Sequence, residues 1–267
     1  MNAFMQNVVQ RSGRWLRLSV LGYRALFAWL NPLDYLTIKI IEPIAQLLFF
    51  VLLGQFAGLD AAYFILGNAV RLASVSGLYG CVMVMIEERM NGTLQLVTAS
   101  ATPLAQTLVA RIALQGLDGV LTSALGLTVG FLFLGLDASQ VNWGWLLLAL
   151  LVTSYAIAGL GLFVSIFGVF GVDLTFIMNL AYTLLLLLCG VNFPITLLPL
   201  PLQIIANLLP LTHGLTAVRA IAIGDLTGVP GQLLLEALIG LGYGIGGYLL
   251  FRYAEYRARV LGTLDLI

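Results

Sequence analysis

Six stretches of this sequence are apolar and long enough to cross a lipid bilayer as helices. A hydrocarbon core of about 30 Å is crossed by about 20 helical residues. Only 9% of the 267 residues are charged, whereas a soluble protein carries about 25%. We therefore predict an all-α membrane protein with six transmembrane helices. The six stretches cover residues 36–58, 61–86, 108–136, 143–168, 174–192 and 231–251.

Titratable side chains are too few for several classes of function. The 12 Lys and Arg residues balance the 12 Asp and Glu residues, so the chain has no excess positive charge with which to bind nucleic acid. One histidine and two cysteines give no basis for a metal site with several ligands. Both cysteines, Cys81 and Cys189, lie in apolar stretches, where a free cysteine behaves as a small hydrophobic residue. We expect no metal, no disulfide and no catalytic residues.

The positive charges predict the orientation in the membrane. Cytoplasmic loops are enriched in Lys and Arg. If the N terminus is cytoplasmic, all the cations but Arg71 and Arg219 lie at or near the cytoplasmic side. With six spans, both termini are then cytoplasmic, and we expect a multi-pass protein of the inner (cytoplasmic) membrane.

The first 35 residues form a separate N-terminal segment. Arginines alternate there with aromatic and aliphatic residues such as Trp15 and Trp29, which is typical of a helix lying in the membrane interface. A basic flank that only sets the topology is the alternative. Because Asn31-Pro32 is a helix breaker, we divide the chain into an interfacial helix, 1–35, and a transmembrane domain, 36–267.

The loop between the second and third stretches combines signals for a helix end and a helix start. Gly92 can adopt the positive φ of a helix C-cap, and Thr93 can cap a short new helix that ends before Pro103. Leu94 and Leu96 give this helix an apolar side able to dock on a soluble partner; an ordinary turn is the alternative. The loop covers residues 87–104 and begins with Glu87, Glu88 and Arg89.

The external segment after the fifth stretch is too apolar for a solvated loop, yet its prolines prevent one continuous helix. Short helices that dip into the outer leaflet and pack against other helices satisfy both constraints. A hydrophobic loop lying flat on the bilayer is the alternative. The segment covers residues 193–219 and includes Phe193, Pro194, Pro199, Pro210 and Arg219.

Both segments resemble those of a known family, the type-2 ABC exporter permeases. The similarity in the cytoplasmic loop rests on Glu87, Arg89, Gly92, Thr93, Leu94 and Pro103, and in the external segment on the proline pattern before Arg219. It extends over essentially the whole chain. Gln95 departs from the glutamate that many relatives have at this position.

The resemblance implies a transport complex rather than an enzyme. In it two permease chains, identical or paired homologues, assemble with two ATP-binding subunits. The sequence has no G-x-x-x-x-G-K-[ST] phosphate loop, so ATP and magnesium are expected on the partner subunit and no cofactor on this chain. The segment from Thr93 to about Ser100 would be the coupling helix, and the first and fifth spans would form the seam between permeases.

Few fixed charges inside the membrane favour export of a lipophilic or amphipathic substrate, such as a drug-like metabolite or a lipid. Export of a lipid-linked polysaccharide is one alternative, with Trp143, Trp145 and Tyr155 stacking on sugars. A carrier coupled to protons, working without an ATPase, is the alternative from another class, and Arg71 and Asp118 would then be the residues to titrate.

Arg71 is the most unusual residue within a predicted span, because an arginine there costs about 2.5–3.5 kcal/mol. Helical rise places it near the depth of Glu236, so we predict an intramembrane ion pair between the two. A contact with a substrate headgroup, or snorkelling to the outer interface, are the alternatives. Asn68 and Ser74 lie near Arg71, and these polar residues could face a translocation path.

Three further charged residues lie within predicted spans. Asp118 is deep in the third span, and we expect it to face another helix rather than lipid. Lys39 and Glu42 are three residues apart in the first span, where they can pair locally.

Overall fold

The computed structural model describes residues 31, 33–34, 37–92, 104–170 and 172–261, and the regular elements among them are helical. Residues 1–30 of the predicted interfacial helix lie outside this description. The α-helices are α1 (Glu42–Phe56), α2 (Ala61–Arg71), α3 (Cys81–Met90), α4 (Leu104–Phe133), α5 (Trp143–Ser165), α6 (Leu174–Leu188), α7 (Leu200–Leu208), α8 (Thr212–Ala222) and α9 (Val229–Leu261).

Shorter helical turns extend or join these helices. The π-helical turn Thr37–Ile41 leads into α1, and a second one, Val75–Gly80, joins α2 to α3. The 3₁₀ turn Ile166–Phe170 extends α5, and Ile195–Leu197 precedes α7.

Five of the six predicted spans are confirmed as helices long and apolar enough to cross a bilayer. The fifth predicted span is shorter, because its helix, α6, has only 15 residues. The five long spans are Thr37–Phe56, Ala61–Met90, Ala113–Phe133, Trp143–Gly168 and Val229–Ala254.

The segment containing α6 nevertheless lies along the full depth of the second span. At one end, Arg89 donates to the carbonyl oxygen of Val172 just before α6, at 3.4 Å. At the other end, the Tyr63 hydroxyl donates to the carbonyl oxygen of Gly190 just after α6, at 3.0 Å. Residues 172–190 therefore run antiparallel to α2 and α3, in the place of the fifth predicted span.

Polar residues set the starts of several helices. Asp60 accepts from the backbone N–H of Ala62 at 3.0 Å, and Asn142 accepts from that of Trp145 at 3.2 Å. Asp173 caps α6 in the same way. Each oxygen satisfies an N–H that the helix leaves unpaired at its N-terminus, so these short polar side chains mark where helices can begin.

Glycines let α5 and α9 approach closely in the centre of the bundle. A Cβ atom at Gly159 would lie 2.5 Å from the carbonyl oxygen of Gly240, and one at Gly240 would overlap the backbone of Ala156. Small residues permit such contact between transmembrane helices. The main chains of α5 and α9 are therefore in direct contact at these glycines.

The predicted external hairpin is a bent helix pair. Helices α7 and α8 meet at 85°, with Pro210 and Leu211 between them. Leu215 and Val218 of α8 are buried, and α8 packs against α2, α5 and α9. A segment lying flat on the bilayer is thus wrong for α8, since its apolar side is covered by other helices.

The turns at the α8–α9 end of the bundle carry carboxylates. Asp225, between these helices, accepts from the backbone N–H and hydroxyl of Thr227, which lowers the pKa of its carboxyl. Asp137, between α4 and α5, is bonded in the same way to Ser139, with its pKa lowered for the same reason. These exposed carboxylates remain charged at neutral pH.

Candidate functional site

Arg71, the last residue of α2, is the centre of a buried polar cluster. Only 1% of its surface is exposed. Its Nε donates to Asn68 Oδ1 at 3.2 Å and its Nη2 to Gln46 Oε1 at 3.3 Å, and its Nη1 bonds the Tyr182 hydroxyl. The guanidinium also lies 5.3 Å from the ring centre of Phe50, a distance at which a cation is attracted to an aromatic face.

The predicted Arg71–Glu236 ion pair is wrong. Glu236 is fully buried, and its two carboxyl oxygens accept the backbone N–H groups of Leu211 at 2.6 Å and Gly214 at 3.0 Å. These N–H groups belong to the start of α8, where a helix lacks internal acceptors. The similar depth expected from helical rise therefore did not bring the two side chains together.

Snorkelling of Arg71 to the outer interface is also wrong, because the side chain is buried. Among the residues that the structure describes, it contacts a carboxylate only indirectly. Gln46 accepts from Arg71 and donates through Nε2 to Glu42 Oε1 at 3.3 Å. The cation is therefore held chiefly by neutral oxygen atoms and aromatic rings.

The predicted local pair of Lys39 with Glu42 is replaced by a contact between spans. Lys39 forms an ion pair with Asp118 of α4 and also donates to the Ser76 hydroxyl at 3.4 Å. Ser76 bonds Thr122 at 3.2 Å. The expectation that Asp118 faces another helix is confirmed, since only 8% of this residue is exposed.

A stripe of polar and aromatic side chains continues from Arg71 along the contact between α2, α3 and α6. The Tyr79 hydroxyl donates to Asn179 Oδ1 at 2.6 Å, and the Tyr79 and Tyr182 rings meet edge to face, 5.1 Å between centres. Asn179 is exposed and Tyr182 is half-buried. The stripe therefore reaches the surface of this chain at membrane depth.

Asn68 and Ser74, which the sequence grouped with Arg71, differ in their contacts. The Asn68 amide donates to Asn192 at 2.8 Å, which ties the cluster to the segment after α6. Ser74 is fully buried, and its hydroxyl makes no hydrogen bond within the part of the chain that the structure describes. Only Asn68 of the two belongs to the cluster.

The start of the predicted coupling loop lies at the end of α3. Gly92 has a φ of +64°, and its N–H donates to the carbonyl oxygen of Arg89 at 3.1 Å, as expected for a helix end. Glu88 is buried and Glu87 is half-buried. The loop residues Thr93, Leu94, Leu96 and Pro103 lie outside the described residues.

Arg219 of α8 attaches the external hairpin to the second span. Its guanidinium donates to the carbonyl oxygens of Gly190 at 2.8 Å, Val191 at 3.0 Å and Tyr63 at 3.2 Å, and lies 3.4 Å from the ring centre of Tyr63. Phe193, Pro194 and Pro199 lie on the chain between α6 and α7. Arg219 thus satisfies two main-chain carbonyls at the turn where the hairpin begins and one on α2.

Several functional candidates were missed by sequence reasoning. Gln46, Tyr182 and Asn192 contact the Arg71 cluster from three other segments. Their spacing along the chain carries no signal that would group them. An uncommon polar residue in an apolar helix was the only available clue, and Gln46 within α1 fits that description.

These features define a class of protein. A bundle of apolar spans that holds a buried cation and a polar stripe at membrane depth is typical of membrane transport proteins. The family model described as ABC-2 type transporter matches residues 17–223. The chain belongs to this family and is a permease subunit of an ABC transporter. No curated protein sequence matches the chain.

Proposed function

We propose that this permease exports a lipophilic or amphipathic substrate, a drug-like metabolite or a lipid, across the cytoplasmic membrane. Two copies of a separate ATP-binding subunit, carrying ATP and magnesium, would supply the energy, and a second permease chain would complete the path. The buried Arg71 cluster is the observation that carries this proposal.

The cluster has the composition of a site for the polar group of an amphipathic molecule. Arg71 is held by Asn68, Gln46 and Tyr182, which are neutral groups and do not neutralise its positive charge. Ionisable groups inside a membrane mark substrate or ion pathways and face protein or a water-filled cavity. An anionic or hydrogen-bonding headgroup is therefore the chemistry that the site favours.

The surface around the stripe fits a seam with a second permease chain. Helices α1 and α6 lie on either side of Arg71, and a polar stripe that reaches the surface would be costly against lipid. Both helices also expose large apolar side chains, which a partner would cover. They are Phe49, Leu52, Leu53 and Phe56 on α1, and Phe176, Leu180, Leu184 and Leu187 on α6.

Coupling to the ATPase is supported by the contact between Arg89 and Val172. This hydrogen bond joins the end of the second span to the start of the fifth, directly before the predicted coupling helix. A displacement of that helix by the ATPase would be transmitted to both spans. Because these spans carry Arg71 and Tyr182, the same motion would change the geometry of the cluster.

The distribution of charged residues favours an inner-membrane protein with cytoplasmic termini. Arg89, Arg252 and Arg257 lie at one end of the bundle, whereas Asp137 and Asp225 occupy turns at the other. The positive-inside rule assigns the arginine end to the cytoplasm.

The alternatives have less support. Tyr155, proposed to stack on sugars, donates its hydroxyl to the carbonyl oxygen of Ala113 at 3.2 Å, and Trp143 packs edge-on against Phe131. Asp118, the residue suited to a carrier driven by protons, is engaged by Lys39. Family membership and the Arg71 cluster both favour the exporter.

The test is transport by the permease reconstituted in vesicles with its ATP-binding partner. We expect Arg71→Gln to reduce export of an anionic amphiphile by about tenfold or more, because a hydrogen bond to a charged group is worth about 1.5–3 kcal/mol. Export of a neutral amphiphile should fall less, and Arg71→Lys should restore part of the anionic transport.

Arg257→Gln is the matched control, because this arginine is exposed and bonds only Tyr253 among the described residues. It should leave transport of both substrates unchanged. Equal losses for anionic and neutral substrates in Arg71→Gln, together with lower thermal stability, would assign Arg71 to the structure alone.

A further inference from the structure

A second feature lies away from the Arg71 cluster, in a groove of about 820 Å³ between α4, α5 and α9. Its lining includes Val109, Tyr155 and Gly244, one from each helix. None of its lining residues comes from α1, α2 or α6, the helices that surround Arg71. The groove lies within the spans and opens to the surface of the chain.

Glycines create the space. Gly159 of α5 and Gly240 and Gly244 of α9 line the groove where the two helices touch. A Cβ atom at Gly244 would find only the Cα of Gly159, at 3.9 Å. The groove is thus a depression on the surface of α5 and α9, and it exists because these glycines have no side chains to fill it.

The walls offer almost no hydrogen-bonding groups. The hydroxyl of Tyr155 is already bonded to the carbonyl oxygen of Ala113, and the other lining side chains that the structure describes are aliphatic apart from Tyr248. Water needs polar partners to occupy a cavity, and an unfilled apolar space loses dispersion contacts. Within the membrane, a lipid acyl chain can fill such a space because it needs no hydrogen-bonding partners and restores the dispersion contacts.

One end of the groove is marked by a positive charge. Gly240, Gly244 and Tyr248 line the groove at intervals of four residues along α9, in a row that turns about the helix by about 40° at each step. Arg252 follows one turn beyond Tyr248, past the end of the lining. Arg252 is exposed near the end of the sixth span, Val229–Ala254. Tyrosine and arginine at this depth are typical of the headgroup region.

We propose that this groove binds an anionic phospholipid. One acyl chain lies along Gly240 and Gly244, and the phosphate contacts Arg252, which forms no ion pair with any described residue. The positive-inside rule places this lipid in the cytoplasmic leaflet. The site is separate from the proposed transport path and does not depend on it.

The test compares lipid retained by the permease after reconstitution in vesicles of equal phosphatidylglycerol and phosphatidylethanolamine, extraction in mild detergent, and native mass spectrometry. We expect the wild-type chain to retain phosphatidylglycerol in preference to phosphatidylethanolamine. Gly244→Leu should reduce the retained lipid by about tenfold, since its side chain excludes several methylenes from the groove. Gly242→Leu is the control, because Gly242 faces open space on the same helix.

Arg252→Gln tests the headgroup contact. We expect it to keep a retained lipid but to lose the preference for phosphatidylglycerol, whereas Arg257→Gln should behave as wild type. Ile245→Trp fills the groove from an exposed position, so it tests the site even if Gly244→Leu does not fold. If Gly244→Leu and Ile245→Trp both retain as much lipid as the wild type, the proposed site is wrong. If Arg252→Gln still prefers phosphatidylglycerol, the proposed phosphate contact is wrong.

Discussion

At the scale of single residues, buried polar groups are satisfied by whichever partners share their face of a helix. Arg71 contacts Gln46 and Tyr182, and Glu236 accepts backbone N–H groups at the start of α8. Their opposite charges and similar depth suggested a pair, but both side chains find closer partners. Helix ends and side-chain amides are thus effective partners for charges in a membrane protein.

Glu236→Gln should destabilise the protein. The amide has one acceptor oxygen instead of two, so the N–H of Leu211 or Gly214 would be left buried without a partner, at a cost of about 1–3 kcal/mol. Thermal unfolding in detergent measures the loss. Glu42→Gln, at an exposed carboxylate, should change the melting temperature little; similar shifts for the two variants would contradict the capping role.

The ion pair between Lys39 and Asp118 should behave as a coupled unit. Asp118→Asn leaves a partly buried ammonium without its carboxylate, and we expect a loss of about 3 kcal/mol. The double variant with Lys39→Met and Asp118→Leu should recover most of that stability. A double-mutant cycle built from Lys39→Met, Asp118→Leu and the double variant checks this by thermal unfolding, and additive losses would show that the two groups do not interact.

At the scale of helices, the contact between α5 and α9 depends on missing side chains. The sequence shows many glycines in the spans, but it does not show which of them face another helix. Gly240 lies against the backbone of Ala156, whereas Gly242, two residues away, has no neighbour that a Cβ atom would meet. Periodicity alone cannot separate these two positions, because both are surrounded by equally apolar residues.

Alanine at these two glycines should have opposite effects. Gly240→Ala forces α5 and α9 apart and should cost about 1–3 kcal/mol. Gly242→Ala should be neutral or stabilising by up to about 1 kcal/mol, because alanine is the better helix former. Unfolding in detergent distinguishes them, and a shared loss of stability would show that the close contact is not what Gly240 provides.

At the scale of the whole molecule, the proposed partners of the permease would bind at different edges of the bundle. The predicted coupling loop begins where Arg89 joins the second and fifth spans. The Arg71 stripe emerges between α1 and α6, and the lipid groove lies between α4, α5 and α9. ATPase, second permease and lipid would therefore contact different surfaces of one bundle.

Leu94→Asp should abolish co-purification with the ATP-binding subunit while the permease still inserts in the membrane, because a charge would be placed on the apolar side of the predicted coupling helix. Gln95→Asp adds the same charge at a polar position and should preserve the complex. Affinity purification from native membranes with mass spectrometry gives the result. Binding retained by Leu94→Asp would remove the docking assignment.

The sequence by itself determined the membrane class, the positions of the spans and the places where helices break. Length, hydropathy and prolines are local properties of the sequence. A stretch of about 20 apolar residues must form a helix to cross the bilayer, because its backbone groups find no water to bond there. Helix α6 is shorter than the fifth predicted span. Residues before and after the helix extend its segment along the second span, as the contacts of Val172 and Gly190 show.

Only the tertiary structure decided which polar residues meet. Three contacts join segments that are far apart in sequence: Arg71 with Tyr182, Lys39 with Asp118, and Glu236 with the start of α8. Each pairing depends on the rotation of a helix about its axis, and in uniformly apolar spans the sequence carries little information about that rotation. Packing of side chains between helices fixes it, and with it the site.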